Sequence, residues 1–337
     1  MNGSFPDLPK ILKSWRTYLS LAVGFGLLLA LFRGAGISPT EALKALGGAN
    51  LGLFLLAVAV YYATFPLRGL RWRIILGNLA GPDLKPPPGP WHLAVVILAS
   101  WFANCLLPAK LGDLYRAYHL KRNGASGFSE AAGTVLVERL LDLTVVVSAL
   151  AASAVFLIGS VSRRTLAEVG GLGVLLLLVA LAGVGLFYRL GPRVRRRLPA
   201  RFADVYLRLE SGTRAGFRRL PLTLALTAAV WACEVGRLAL VTQALGLKIA
   251  PPMVVFAALA NSVLTTVPFT PGGLGLVELG VAGLLSLAVP LDLAVTAALA
   301  DRLISYWSLI LSGLPAYILS GRLETTREVA ADAGNSP

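Results

Sequence analysis

Glu138, Arg139 and Asp142 lie inside an apolar run, Glu130 to Ile158, that is long enough to cross a bilayer. Asp301 and Arg302 repeat the acid–arginine pair inside a second such run, Leu293 to Leu319, which also carries Ser305, Ser308 and Ser312. A charge at the bilayer centre costs about 2.5 to 3.5 kcal/mol on insertion scales, so such groups face a bundle interior or a polar cavity. Thr134, Glu138 and Asp142 are spaced by four and share one helix face, with Arg139 three residues before Asp142. Arginines held there can meet an anionic group, while the carboxylates tune them or exchange protons. Two readings stay open: an ion-pair network that only ties helices together, or side chains along a transport path. Glu234 and Arg237, three apart in another apolar run, pose the same choice.

Two breaks in apolar sequence supply further candidates. Pro268-Phe-Thr-Pro271-Gly272-Gly273-Leu274-Gly275 can end one helix and start another, with proline fixing the turn and glycine permitting close backbone approach. The next helix would then point its N-terminus inward, where free N–H groups and the positive dipole end favour an anion such as phosphate. Pro108-Ala-Lys110-Leu-Gly112-Asp113 is a second such break, with Lys110 and Arg116 adding positive charge. Glu278 is either a protonatable coupling residue or a first-turn carboxylate that complements the helix dipole. Asn104 and Asn261 either cap the broken ends or coordinate substrate. Together with Asp113, Pro271, Gly272, Gly273 and the two acid–arginine helices, these residues form the candidate substrate-binding set.

The elements that must position them are membrane helices. Of 337 residues 56% are hydrophobic and 14% charged, and the mean hydropathy is +0.73, which excludes an ordinary soluble domain. The net charge of +14 arises from basic residues clustered between apolar runs, without a nucleic-acid module, so topology explains it and no nucleic-acid partner is expected. Cys105 and Cys233 both lie in apolar segments and read as packing residues. Two histidines and the absence of a ligand cluster imply no metal, and no cofactor is expected. No nucleophile-and-base constellation is evident, so the chain is not expected to be an enzyme.

Six full spans are expected: Tyr18 to Phe32 as a retained signal anchor behind the basic amphipathic segment Phe5 to Thr17, then Leu51 to Leu67, Glu130 to Ile158, Val169 to Tyr188, Leu220 to Leu245 and Leu293 to Leu319. Trp91 to Leu107 and Pro252 to Val289 are shorter or broken and fit re-entrant hairpins, which are tolerated where protein or water covers their irregular backbone. With both termini cytoplasmic and the hairpins opening from opposite sides, Lys and Arg concentrate inside, including Arg68 to Lys85 and the ten arginines between Arg189 and Arg219. In that last stretch Phe202, Val205, Tyr206 and Leu209 fall at helical spacing and indicate an interfacial helix.

The halves repeat. Ala103-Asn104 precedes the first break as Ala260-Asn261 precedes the second, and Thr134-Val-Leu-Val-Glu138-Arg139-Leu140 echoes Thr296-Ala-Ala-Leu-Ala-Asp301-Arg302-Leu303. The chain therefore reads as an all-α integral membrane protein with about six transmembrane helices and two opposed re-entrant hairpins in an inverted repeat. Residues 1–320 form a single polytopic domain, with repeat one at about 51–158 and repeat two at about 220–319, and residues 321–337 form a short cytoplasmic tail.

Leu106-Leu-Pro-Ala-Lys-Leu-Gly-Asp-Leu-Tyr-Arg-Ala-Tyr-His-Leu120, followed by Thr134-Val-Leu-Val-Glu-Arg-Leu-Leu-Asp142, resembles the first signature of the lysylphosphatidylglycerol synthase transmembrane, flippase-like family. Pro268-Phe-Thr-Pro-Gly-Gly-Leu-Gly-Leu-Val-Glu278, with Asp301-Arg-Leu-Ile-Ser-Tyr-Trp307, is similar to its second. The first signature commonly has arginine at the place of Lys110, a change that keeps charge but loses the bidentate fork. Bifunctional members append a soluble aminoacyl-transferase domain, whereas only a short tail follows Leu319 here, so lipid aminoacylation is not expected. The resemblance implies a multi-pass protein of the cell (cytoplasmic) membrane that moves an anionic phospholipid, aminoacyl-phospholipid or lipid-linked phosphate between leaflets. The alternatives are a secondary transporter of a small soluble anion and a non-catalytic scaffold for a lipid-modifying or glycosyl-transfer enzyme. Expected partners are membrane lipids and such an enzyme.

Overall fold

The computed structural model describes residues 15–35, 44, 47–79, 86–106, 112–122, 124, 126–158, 162–197, 199–265 and 270–333. Among these the chain is helical and has no β-strand. Apolar surroundings offer the backbone no water, and a helix satisfies its N–H and C=O groups within one segment. Helix α1 (Trp15–Ala35) comes first. The first series is α2 (Leu51–Gly77), the pair α3 (Pro90–Leu106) and α4 (Gly112–Arg122), and α5 (Phe128–Phe156). Helices α6 (Arg163–Arg197) and α7 (Ala200–Ala215) lead to a second series: α8 (Leu220–Ala244), the pair α9 (Pro251–Thr265) and α10 (Leu276–Leu285), and α11 (Leu291–Arg302). A π-helical turn (Leu303–Trp307) joins α11 to α12 (Ser308–Ala333).

Local chemistry sets the ends of these helices. The Asn50 side chain accepts from the Leu53 N–H at 3.1 Å and starts α2. Prolines open α3 and α9, where a missing N–H costs nothing, and Gly246 at φ +71° turns the chain out of α8. Leu51–Gly77, Leu220–Ala244 and Leu291–Ser320 are long and apolar enough to cross a membrane. Ala22–Leu31, Pro90–Leu106, Pro251–Thr265 and Leu276–Leu285 are shorter apolar helices. At 1.5 Å per residue α3 is about 25 Å long and α9 about 22 Å, less than the roughly 30 Å of a hydrocarbon core.

The two series share more than their order. In each, the paired helices pack on one another and the second of the pair packs on the closing helix: α4 on α5, and α10 on α11. The two ends cross over, α5 packing on α9 and α12, which continues α11 beyond the π-helical turn, packing on α3, while the opening helices α2 and α8 pack together. Exchanging the halves maps this set of contacts onto itself. The cores follow the crossover, since Val146 and Leu150 of α5 belong to the apolar cluster around α9 and α10, and Leu309 of α12 to the cluster around α2 and α3.

Three boundaries differ from the sequence reading. Helix α2 does not end at Leu67 but continues through Arg68 and Arg71, both buried, because carboxylates on other helices receive them. The last helix runs past Leu319 to Ala333, so residues 321–333 continue α12. The segment from Arg189 to Arg219 is mostly helix, first the end of α6 and then α7. As expected from its spacing α7 is a separate helix, with Phe202 and Val205 exposed, but it also packs closely on α5. Methyl groups built on Gly133 and Gly212 would overlap the backbone carbonyls of Leu209 and Glu130, so only glycine permits that approach.

Gly112 is a comparable contact within the first hairpin, where a methyl would overlap the Ser100 carbonyl oxygen, whereas one on Gly77 would meet open space. Gly112→Val is expected to lower stability by about 1 to 3 kcal/mol or more, read as an earlier thermal transition of the detergent-purified protein. Gly77→Ala should leave that transition in place.

Candidate functional site

The site is built from arginines and carboxylates that leave water together. On α5, Glu138 and Asp142 point inward as their spacing requires, and both are buried. Arg71 of α2 bridges them, with Nη1 2.6 Å from Asp142 Oδ1 and Nε 3.4 Å from Glu138 Oε1. Arg71 also donates to the Thr227 hydroxyl of α8 at 2.7 Å. Arg116 of α4 pairs with Glu138 and lies over the Trp72 ring, 4.1 Å from its centroid. Trp72 in turn donates its Nε1–H to Thr134 at 3.0 Å. One turn away on α2, Arg68 reaches Glu234 of α8 at 3.1 Å and Asp142 at 4.0 Å.

From Glu234 the chain of charges continues into the second half. Arg237 pairs with Glu234 and grips Asp301 with two bonds of 2.7 and 3.1 Å. On the opposite flank Arg139 grips Asp113, the second residue of α4, at 3.0 and 2.8 Å, and its Nη1 lies 3.6 Å from Asp142. Arg68, Arg71, Arg116, Arg139 and Arg237 are thus joined to Asp113, Glu138, Asp142, Glu234 and Asp301 in one connected, formally neutral network. The link between the halves is made on α2 and α8, through Arg68–Glu234 and Arg71–Thr227.

Arg302 lies apart from this network. Its Nε donates to Glu278 at 2.7 Å and its Nη2 to the Gly272 carbonyl at 2.8 Å. The other Glu278 oxygen accepts from the Gly275 N–H at 2.8 Å. Glu278 is therefore a first-turn carboxylate that caps α10, the second of the two roles open to it. Gly272, Gly273 and Gly275 have φ of +57°, +73° and +82°, values that suit glycine, and Pro271 begins the turn they form. The turn meets the end of α3 at Tyr306 of the π-helical turn: a methyl on Gly272 would stand 2.6 Å from the Tyr306 ring, and the Tyr306 hydroxyl donates to Cys105 O at 3.1 Å. The ends of the two hairpins thus come together on one side chain, at a π-turn of the kind often found at functional sites.

Asn104 is a cap in this structure, its side-chain oxygen accepting from the Gly112 N–H at 2.8 Å. Asn261 Oδ1 is buried without a hydrogen-bond partner. Lys110 and Pro268 lie outside the described residues. No group of three or more metal-ligating side chains occurs among the described residues.

A match to the model of the lysylphosphatidylglycerol synthase transmembrane region covers residues 18–313, which include both hairpins and both acid–arginine helices. The chain belongs to that family. Members of the family similar to it include a UPF0104 membrane protein of Methanocaldococcus jannaschii, 32% identical over 63% of this chain and 91% of that protein. A UPF0104 membrane protein of Methanothermobacter thermautotrophicus is 26% identical over 87% of this chain and 90% of its own length. Glycosyltransferase AglD of Haloferax volcanii is 30% identical over 88% of this chain, but the match spans only 53% of that protein. The chain is accordingly a membrane protein of this family.

Of the side chains expected together in this family member, Asp113, Arg116, Glu138, Arg139, Asp142 and Asp301 share one network, and Glu278 and Arg302 form the separate pair. Sequence reasoning placed Arg68 and Arg71 in a cytoplasmic loop and missed both. A charge count could have found them. Leaving aside Glu130 at the edge of its run, the apolar runs and the Gly-rich hairpin hold the acids Glu138, Asp142, Glu234, Glu278 and Asp301 against only three arginines, Arg139, Arg237 and Arg302, a deficit of two cations.

Breaking a buried pair strands the remaining charge and costs about 3 to 5 kcal/mol, whereas removing both members costs far less. Arg302→Met is therefore expected to lose that much stability, and Arg302→Met with Glu278→Gln to recover a large part of it. Thermal melts of the three proteins in one detergent check the ordering.

Proposed function

We propose that this chain moves an anionic lipid, either a phospholipid, an aminoacyl-phospholipid or a lipid-linked phosphate, between the leaflets of the cell (cytoplasmic) membrane, without itself catalysing a reaction. The observation that carries this reading is Arg139. Its side chain keeps 34% of its surface accessible, against 2% for Arg71 and 7% for Arg302. It thus puts an arginine side chain within reach of a headgroup at the accessible edge of the neutral network. Arg139 sits on the helix that crosses from the first half to the second-half hairpin, so a bound phosphate is well placed to sense the packing of the halves. In this reading about six helices span the bilayer, the two hairpins enter from opposite faces, both termini are cytoplasmic, and the two series rock as inverted repeats around the network. Acyl chains remain in the bilayer while the headgroup passes. The arginine-rich α6 end and α7 lie on the cytoplasmic side.

A second reading draws on AglD, a protein named as a glycosyltransferase of which this chain matches about half. There the domain is a membrane scaffold that presents a lipid-linked substrate to a glycosyl-transfer enzyme. Co-purification of such an enzyme, with no lipid movement by the isolated chain, would favour it.

Leaflet exchange in proteoliposomes tests the first reading with lysyl-phosphatidylglycerol, phosphatidylglycerol and prenyl phosphate. Exchange of one of these is expected with the natural chain and is expected to fall at least about ten-fold in Arg139→Ala, the size of effect a charge-assisted hydrogen bond of about 1.5 kcal/mol supports. Arg139 suits the test because it is partly exposed, whereas loss of Arg302 would strand Glu278 and confound folding with transport. If none of the three lipids moves, with or without a proton gradient, the translocation reading fails.

A further inference from the structure

The end of α6 and the whole of α7 make a second charged surface, and the long helices fix its level in the membrane. Helix α2, long and apolar enough to span, ends at Gly77. The Asn78 side chain just beyond it donates to Ala215 O at 2.9 Å, and Arg218 donates to the Asn78 carbonyl at 2.9 Å. Helix α8, also long enough to span, starts at Leu220. The end of α7 is therefore pinned where one span finishes and another begins, at an edge of the bilayer. Helix α6 reaches the same level. Its 35 residues make about 52 Å, more than a hydrocarbon core of roughly 30 Å, and its Gly191 lies against Tyr206 of α7.

The chemistry of this surface has two parts. Phe202, Val205, Leu209, Gly212 and Gly216 follow one another at intervals of three and four and form one stripe of α7. Gly212 meets α5 at the Glu130 carbonyl and Gly216 meets it at Val137, so the two helices run in the same sense and the first turns of α7 lead past the start of α5 at Phe128. There the stripe loses its cover: Phe202 is 47% exposed and Val205 49%. The second part is charge. From Arg189 to Arg219 ten arginines stand against Asp204 and Glu210, a balance of +8. Asp204 is bonded to Arg208 and Glu210 to Arg214, and Glu130 of α5 also faces Arg208, at 4.0 Å. Arg189, Arg193 and Arg196 lie four and three apart on one exposed face of α6, and Arg201 lies over the Phe202 ring at 4.8 Å.

We propose that the α6 end and α7 form a binding surface for anionic lipid of the adjacent leaflet: Phe202 and Val205 enter the boundary between headgroups and acyl chains, while Arg189, Arg193, Arg196 and Arg201 hold lipid phosphates. Exposed apolar side chains beside a strongly basic face, at a bilayer edge, complement a negatively charged membrane surface in both respects. The close glycine contacts with α5 keep the surface preformed, so binding does not have to order it. No group of the Arg139 site takes part, and the surface stands whether or not the chain moves lipid.

The test titrates the detergent-purified full chain with phosphatidylglycerol, and in parallel with phosphatidylcholine, and counts bound lipid by native mass spectrometry. Phosphatidylglycerol is expected to bind the more tightly, and to weaken about five-fold for each arginine removed in Arg193→Gln with Arg196→Gln, the worth of one basic side chain at an anionic surface. Arg139→Ala should leave this binding in place, which separates the surface from the translocation site. Equal binding of the two lipids, or an affinity unmoved in the double variant, overturns the proposal. Inorganic phosphate that displaces the lipid at equal concentration also overturns it, in favour of a free anion. Insertion is read independently in reconstituted vesicles by a spin label on Phe202→Cys or on Ser211→Cys, which lies on the opposite face, both in a Cys233→Ala chain whose other cysteine, Cys105, is buried. The label at 202 is expected to collide more with oxygen than with a water-soluble nickel chelate, and the label at 211 the reverse. Equal nickel access at the two positions overturns the insertion and leaves that face to water or to a soluble partner.

Discussion

A guanidinium that leaves water inside an apolar bundle must be met by a carboxylate, because an unpaired buried charge costs far more than a packing contact returns. That constraint organises this protein. Five arginines and five acids, drawn from α2, α4, α5, α8 and α11, form one neutral network, and each pair fixes the rotation and depth of the helices that contribute to it. Apolar packing alone specifies such positions weakly, since one Leu-rich helix face resembles another. A sliding helix here would trade a paired charge for a stranded one. Such networks contribute little net stability relative to well-packed apolar residues, and their role here is read as specifying one arrangement.

The network also explains how two similar halves become one unit. Apolar contacts cross over, with the closing helix of each half against the first hairpin helix of the other. Polar contacts also join them: Arg68–Glu234 and Arg71–Thr227 where α2 meets α8, Tyr61 and Tyr62 of α2 with Ser305, Ser308 and Ser312, Tyr115 with Ser320, and Tyr306 with the Cys105 carbonyl. Glycines at the hairpins serve the same end differently. Gly112 lets α4 lie against the α3 backbone, and Gly272 lets the second turn rest on the Tyr306 ring, whose hydroxyl also holds the end of α3 at Cys105 O.

The family match rests on the whole run from residue 18 to 313, while the site rests on which side chains are paired and which are reachable. Arg139 and Arg302 occupy corresponding places in the two motifs, yet one is partly open and the other sealed. Corresponding residues of the two motifs therefore sit in different surroundings.

The sequence by itself determined that the chain is helical and membrane-bound, and that helices end close to its Gly- and Pro-rich breaks. Those features are local: hydropathy, proline and glycine geometry, and helical spacing act over a few residues. Glu138 and Asp142 were legible as one inward face for that reason. Tertiary structure alone decided whom they face. Glu138 pairs with Arg71 and Arg116 and not with its neighbour Arg139, because consecutive side chains on a helix point about 100° apart and reach different helices. Arg68 and Arg71 read as the start of a cytoplasmic loop because positive charge after an apolar run ordinarily marks the membrane edge. Glu234 and Asp142, distant in sequence, keep them inside. Exposure was equally out of reach of the sequence, since how much of Arg139 stays accessible is set only once α4 has packed on α5.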